Sequence, residues 1–168
     1  MRGTRMKDLV VYYSRTGKTA RAAREIATRL RADIRELRET RGRKGPWGFI
    51  AAGRQALRGV HSTLVEPDFS LQGYDRVVLC QPFWAAHAVP AMNTFLAGID
   101  PRGKRFILVA VKGGAPAAKL FARLRAGLES RGGKVVSTLE LRGGMGKIAT
   151  VEASMLADIE RWVAALGR

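Results

Sequence analysis

The sequence predicts an α/β domain of three layers, α/β/α, on a five-stranded parallel sheet in the order 2-1-3-4-5. Three observations lead there. Short apolar runs alternate with longer segments of helical period through most of the 168 residues. The runs LVVYY (9–13), VVLC (77–80) and FILVAV (106–111) are continuously apolar, as strands covered on both faces are. DIRELRE (33–39) and KVVSTLELR (134–142) carry more polar residues and suit the two edges. With strands two and five outside, the order reverses between strands one and three, and a ligand is expected at their carboxyl ends, in the loops starting at Ser14 and Pro82.

The elements follow in order. After LVVYY, the segment TARAAREIATRLRA (19–32) places Ala20, Ala23, Ala27 and Leu30 on one helical face, with Ile26 beside them. Arg21, Arg24 and Arg31 fall largely outside it. DIRELRE follows as the second strand, with apolar Ile34 and Leu37 among polar neighbours such as Arg35 and Glu36. Residues 40–73 break the alternation. Phe49, Ile50, Leu57 and Val60 could share a face opposite Arg54 and Arg58, but Gly48, Gly53 and Gly59 argue against one regular helix. DRVVLCQ (75–81) is the third strand, VPAMNTFLAGI (89–99) a short helix and KRFILVAV (104–111) the fourth strand. APAAKLFARLRAGLES (115–130) aligns Leu120, Leu124 and Leu128; KVVSTLELR and the helix VEASMLADIERWVAALG (151–167) complete the chain. No boundary or repeat divides it, so residues 1–168 read as a single domain.

An apolar fraction of 46% excludes intrinsic disorder. No run approaches the roughly 18–20 apolar residues of a membrane span. Only Leu9 to Tyr13 follow the basic start MRGTRMKD, too short for the apolar region of a signal peptide, so a cytoplasmic protein is expected. The single cysteine, Cys80, excludes an internal disulfide, and reads as a small buried hydrophobe. His61 and His87 lack partners at ligand spacing, so no metal site is expected. The net charge is +16. Residues 1–60 hold 16 Lys/Arg and 5 Asp/Glu, a balance of +11, so the excess lies in the first third. Such a field attracts acidic proteins or anionic membranes. No zinc-finger or RNA-binding signature accompanies it, so nucleic acid is not expected.

VVYYSRTGKTA (10–20) ends in Gly-Lys-Thr, like the P-loop of ATPases and GTPases. The first glycine of that motif should be residue 12, which is Tyr12, and no strand ends in a Walker-type Asp. The loop is too short for a triphosphate. One terminal phosphate fits it better. The first turn of a helix leaves backbone N–H groups for an anion, Ser14, Thr16 and Thr19 add hydroxyls, and Gly17 permits close approach. A plain helix cap accounts for one such hydroxyl rather than three. Arg15 and Lys18 add positive charge.

YYSRTGKT resembles the phosphate loop of flavodoxins, [ST]-x-T-G-x-T after the first strand, matched at Ser14, Thr16, Gly17 and Thr19. Pro82, Trp84 and Pro90 match the shape of that family's second loop, and GFIAAGRQALRG (48–59) is similar to an insertion in a subgroup of its small members. The resemblance implies noncovalent FMN, its phosphate on Ser14–Thr19 and its ring against Pro82, Phe83, Trp84, Ala85 and His87. Lys112, Gly113 and Gly114 would form a third loop. That loop has no aromatic residue, leaving Phe83 and Trp84 as the aromatic candidates, and His87 stands where the subgroup commonly has a small residue. No Asp or Glu lies in residues 10–20, 80–90 or 111–116, so the pocket is expected to be positive through Arg15, Lys18 and Lys112.

The function this implies is an FMN-binding redox protein, carrying electrons or reducing a quinone-like acceptor. As an enzyme it would be an NAD(P)H oxidoreductase of quinone-reductase type, working with NAD(P)H, a quinone or a redox partner protein; no catalytic residue stands out. The alternative is a basic docking module of the same fold with a weak or lost flavin site.

Overall fold

The computed structural model describes residues 6–40, 61–84, 87–143 and 148–166. In chain order these form β1 (Asp8–Tyr12), α1 (Lys18–Leu30), β2 (Asp33–Glu36), β3 (Arg76–Pro82), α2 (Pro90–Gly98), β4 (Arg105–Lys112), α3 (Ala118–Glu129), β5 (Lys134–Arg142) and α4 (Ile148–Leu166). The strands make one sheet in the order β2-β1-β3-β4-β5, with every pair parallel. This is the flavodoxin-like α/β arrangement. The expected amphipathic stretch at 41–60 lies outside the described residues.

Successive strand residues point to opposite faces, so each central strand feeds two cores. Leu9, Val11, Val77, Leu79, Phe106 and Leu108 pack beneath α2 and α3, where Met92, Phe95, Leu120 and Leu124 meet them. Val10, Tyr12, Val78, Cys80, Ile107 and Val109 pack beneath α1 and α4, against Ala23, Ile26, Met155 and Ile159. Continuous apolar sequence is therefore needed in β1, β3 and β4. The edges need less, and Ile34 on β2 is exposed. Cys80 is fully buried, and burial pushes its thiol pKa far above the usual value.

The chain leaves β2 through a short antiparallel contact. Thr40 donates its N–H to the Thr63 carbonyl at 3.0 Å, and Val65 to Arg38 at 2.8 Å. Ser62 and Thr94 then exchange hydrogen bonds, tying the returning segment to α2. Phe69 lies over Gly98, where a Cβ would come within 2.7 Å of its ring. No helix among the described residues is long and apolar enough to cross a membrane.

At the amino end of the sheet, Asp8 and Arg76 face each other in register and form a bidentate pair at 2.9 and 2.5 Å. They are only 6% and 9% exposed, so neither charge can turn to water for compensation. We expect Arg76→Met to lower unfolding free energy by about 3–5 kcal/mol, because it strands the Asp8 carboxylate. Adding Asp8→Asn should recover part of that loss. Urea denaturation of the single and double variants checks both; a neutral single variant would contradict this account.

Candidate functional site

Parallel strands in register bring their carboxyl ends together. Tyr12 is level with Cys80, and Pro82 with Val111. The ladder continues one residue further, with Tyr13 N–H donating to the Cys80 carbonyl at 3.1 Å and Phe83 N–H to Val111 at 2.9 Å. Three loops therefore open side by side, starting at residues 13, 83 and 113. The first two flank the reversal of strand order between β1 and β3.

The first loop turns through Gly17 in the left-handed region, at φ 87°. A side chain there would be strained although space is open around it. Gly17 donates its N–H to Ser14 Oγ at 3.2 Å, and its carbonyl accepts from Arg21 N–H at 2.9 Å, starting α1. No acidic residue occupies the first turn of α1, so its positive dipole end faces no carboxylate of its own. Thr16 is exposed at the tip, Ser14 and Arg15 are half-buried, and Thr19 is buried in the first turn. This is a cradle whose chemistry suits an anion. Lys18 directs its Nζ to the Gly143 carbonyl at 2.6 Å, joining this loop to the end of β5.

The second loop is drawn back to the sheet by Gln81. That side chain is 1% exposed, and its Oε1 accepts the Val89 N–H at 3.0 Å. Between them, His87 N–H donates to the Trp84 carbonyl at 3.1 Å. Phe83 and Trp84 are half-buried against the α2–α3 core, and the Trp84 ring meets Tyr13 at 5.9 Å and 85°. Tyr13 is held in turn by its hydroxyl, which donates to Glu39 at 3.0 Å. Ala85 lies outside the described residues. His87 is anchored: its Nε2 lies 2.7 Å from the Arg123 guanidinium of α3. Burial, and then the Arg123 cation, lower its pKa below the usual 6.5. The neutral ring accepts a hydrogen bond from Arg123 into its Nε2 lone pair.

The third loop corrects one expectation. Lys112 contributes no lone positive charge, because its ammonium is paired with Glu140 of β5. Segments read separately in sequence showed no acid, but the β4–β5 pairing brings one in. Gly113 and Gly114 are exposed, and a Cβ on either would meet nothing within 4 Å. The protein's own packing does not require glycine there, and the loop presents bare backbone at the open end of the sheet.

Sequence reasoning missed Gln81, Arg123, Glu140 and Gly143. A glutamine ending an apolar strand was a visible signal; the other three become neighbours of the loops only through tertiary pairing. Gly143 donates its N–H to the Lys112 carbonyl at 2.8 Å, and a Cβ on it would lie 2.6 Å from Val111 Cγ1. No group of three or more His, Cys, Asp or Glu among the described residues could hold a metal ion.

No family model and no curated protein matches the chain. Solved structures do. A candidate flavoprotein of Bacteroides uniformis is 25% identical, with TM-score 0.69 over 88% of this chain and 96% of its own. A flavoprotein of Lactobacillus acidophilus, solved in complex with FMN, is 16% identical, with TM-score 0.70 over 80% and 93%. Oxidised flavodoxin 2 of Bacillus cereus is 17% identical, with TM-score 0.59 over 96% and 97%. These neighbours are flavodoxin-like proteins, and the fold is shared with them.

The His87–Arg123 contact has a direct readout. In NMR titration, His87 should titrate below 6.5, and Arg123→Gln should move it upward by removing the nearby cation. As pH falls below the ordinary histidine value, the unfolded chain takes the proton first. Stability from this group is therefore present above that value and lost as pH falls toward the depressed one. A His87 titration that ignores Arg123→Gln would contradict the contact.

Proposed function

We propose that this chain binds FMN noncovalently and acts as a redox protein, carrying electrons or reducing a quinone-like acceptor. The observation that carries the reading is the anion cradle at the start of α1: a left-handed Gly17, hydroxyl residues at 14, 16 and 19, and no carboxylate in the first turn. Its place at the reversal of strand order supports it. So does the similar shape of the Lactobacillus acidophilus protein solved with FMN.

Ser14, Thr16 and Thr19, with the first-turn N–H groups of α1, would hold the phosphate. Phe83 and Trp84 would offer apolar surface to the ring, and the bare backbone at Gly113 and Gly114 would face its polar edge. FMN, when bound, supplies the electron and hydride chemistry. The protein's share is to position it. Gln81 fixes the second loop, and burial together with the Arg123 cation lowers the pKa of His87 beside it. No second dinucleotide fingerprint exists in the sequence, so NAD(P)H would bind only in passing.

FMN should bind far more tightly than riboflavin. Charge-assisted hydrogen bonds contribute about 1.5–3 kcal/mol each, so losing several costs orders of magnitude in affinity. Thr16→Ala should weaken FMN binding without changing the unfolding midpoint, because the residue is exposed. Fluorescence titrations giving equal affinity for the two flavins would defeat this reading.

The charge of +16 favours a second role for the surface: docking on an acidic redox partner or an anionic membrane through the first third of the chain. Retention on anionic vesicles should collapse between 0.1 and 1 M salt, as the screening length falls from about 10 to about 3 Å. Absence of retention at low salt would rule out docking on a membrane.

A further inference from the structure

The edge strand β5 supplies side-chain chemistry to the end of the sheet where the loops open. We propose that Glu140 is a positioning residue of the flavin site, holding both ends of the loop 113–116 and cancelling the charge of Lys112. This rests on the FMN reading above.

Glu140 Oε1 accepts the Ala117 N–H at 2.9 Å, and its Oε2 pairs with the Lys112 ammonium. Lys112 is the residue before the loop and Ala117 the residue after it, so one carboxylate closes it. Gly113 and Gly114 have no side chains with which to fix the path between. The pair is shielded, at 13% exposure for Lys112 and 34% for Glu140. The ammonium holds the carboxyl below its ordinary pKa. A bulge makes the meeting possible. Phe106 is level with Val135 but Ile107 with Ser137, so Val136 is extra and exposed. Without it Glu140 would stand opposite Val111, on the face covered by α1 and α4. With it Glu140 stands opposite Ala110, on the same face as Lys112.

The test uses the full chain as wild type, Glu140→Ala, Glu140→Gln, Lys112→Met and the Glu140→Gln/Lys112→Met double variant. Without flavin, hydrogen exchange at the Ala117 amide should be about tenfold faster in Glu140→Ala and near wild type in Lys112→Met, which keeps the acceptor. The FMN dissociation constant should rise about tenfold in Glu140→Ala. Glu140→Gln retains an acceptor but leaves Lys112 unbalanced, so the potential of bound flavin should rise. Lys112→Met leaves Glu140 unbalanced, so it should fall, and the double variant should return near wild type. Loss of packing alone would not shift the potential in opposite directions. Unchanged Ala117 exchange in Glu140→Ala, or shifts of one sign in both single variants, would overturn the proposal. Wild type that takes up no FMN sinks the flavin reading and Glu140's role toward the cofactor. The Ala117 exchange rate still decides whether the carboxylate holds the loop.

Discussion

The site depends on the hydrogen-bonded register of β1, β3 and β4. Because these strands run the same way and stay level to their ends, three loops distant in sequence begin side by side on successive strands. A slip of one residue would also exchange the faces of a strand, sending the residues beneath α2 and α3 to α1 and α4. The two cores and the loop positions are thus one constraint. Apolar side chains on both faces hold the register, and the register delivers the loops.

The loops are then trimmed by polar contacts placed just beyond the ladder. Gln81 fixes the return of the second loop, and Glu140 and Gly143 hold the third to the end of β5. Lys18 reaches from the first loop to Gly143. Each uses a backbone group that would otherwise lack a partner near the rim of the sheet. Such contacts leave the upper surfaces of the loops available for a ligand.

The fold was largely legible. Continuous apolar runs marked the central strands, and the polar character of 33–39 and 134–142 marked the edges, because burial on both faces demands what burial on one does not. The glycine turn into α1 was legible too, since Gly17 and the hydroxyl residues 14, 16 and 19 lie within six residues. What escaped was the charge of the third loop. Lys112 and Glu140 are 28 residues apart, and only a one-residue bulge sets them on the same side of the sheet. The alternation of KVVSTLELR gives no notice of that bulge, because Val136 is as plausible in a regular strand. The anchoring of His87 escaped for a similar reason: Arg123 lies on an outward-looking helix in sequence and meets the loop only after α3 docks.

The placement of Cys80 has a chemical consequence. It stands two residues from the end of β3, close to where a redox cofactor would sit, yet the residue is 0% exposed and burial disfavours its thiolate. Only a thiolate reacts readily with oxidants and alkylating reagents. The sulfur is therefore protected by packing from oxidants and alkylating reagents as long as the domain stays folded. Because it lies in the middle strand of the sheet, its modification would record the opening of the whole domain and not the breathing of a loop.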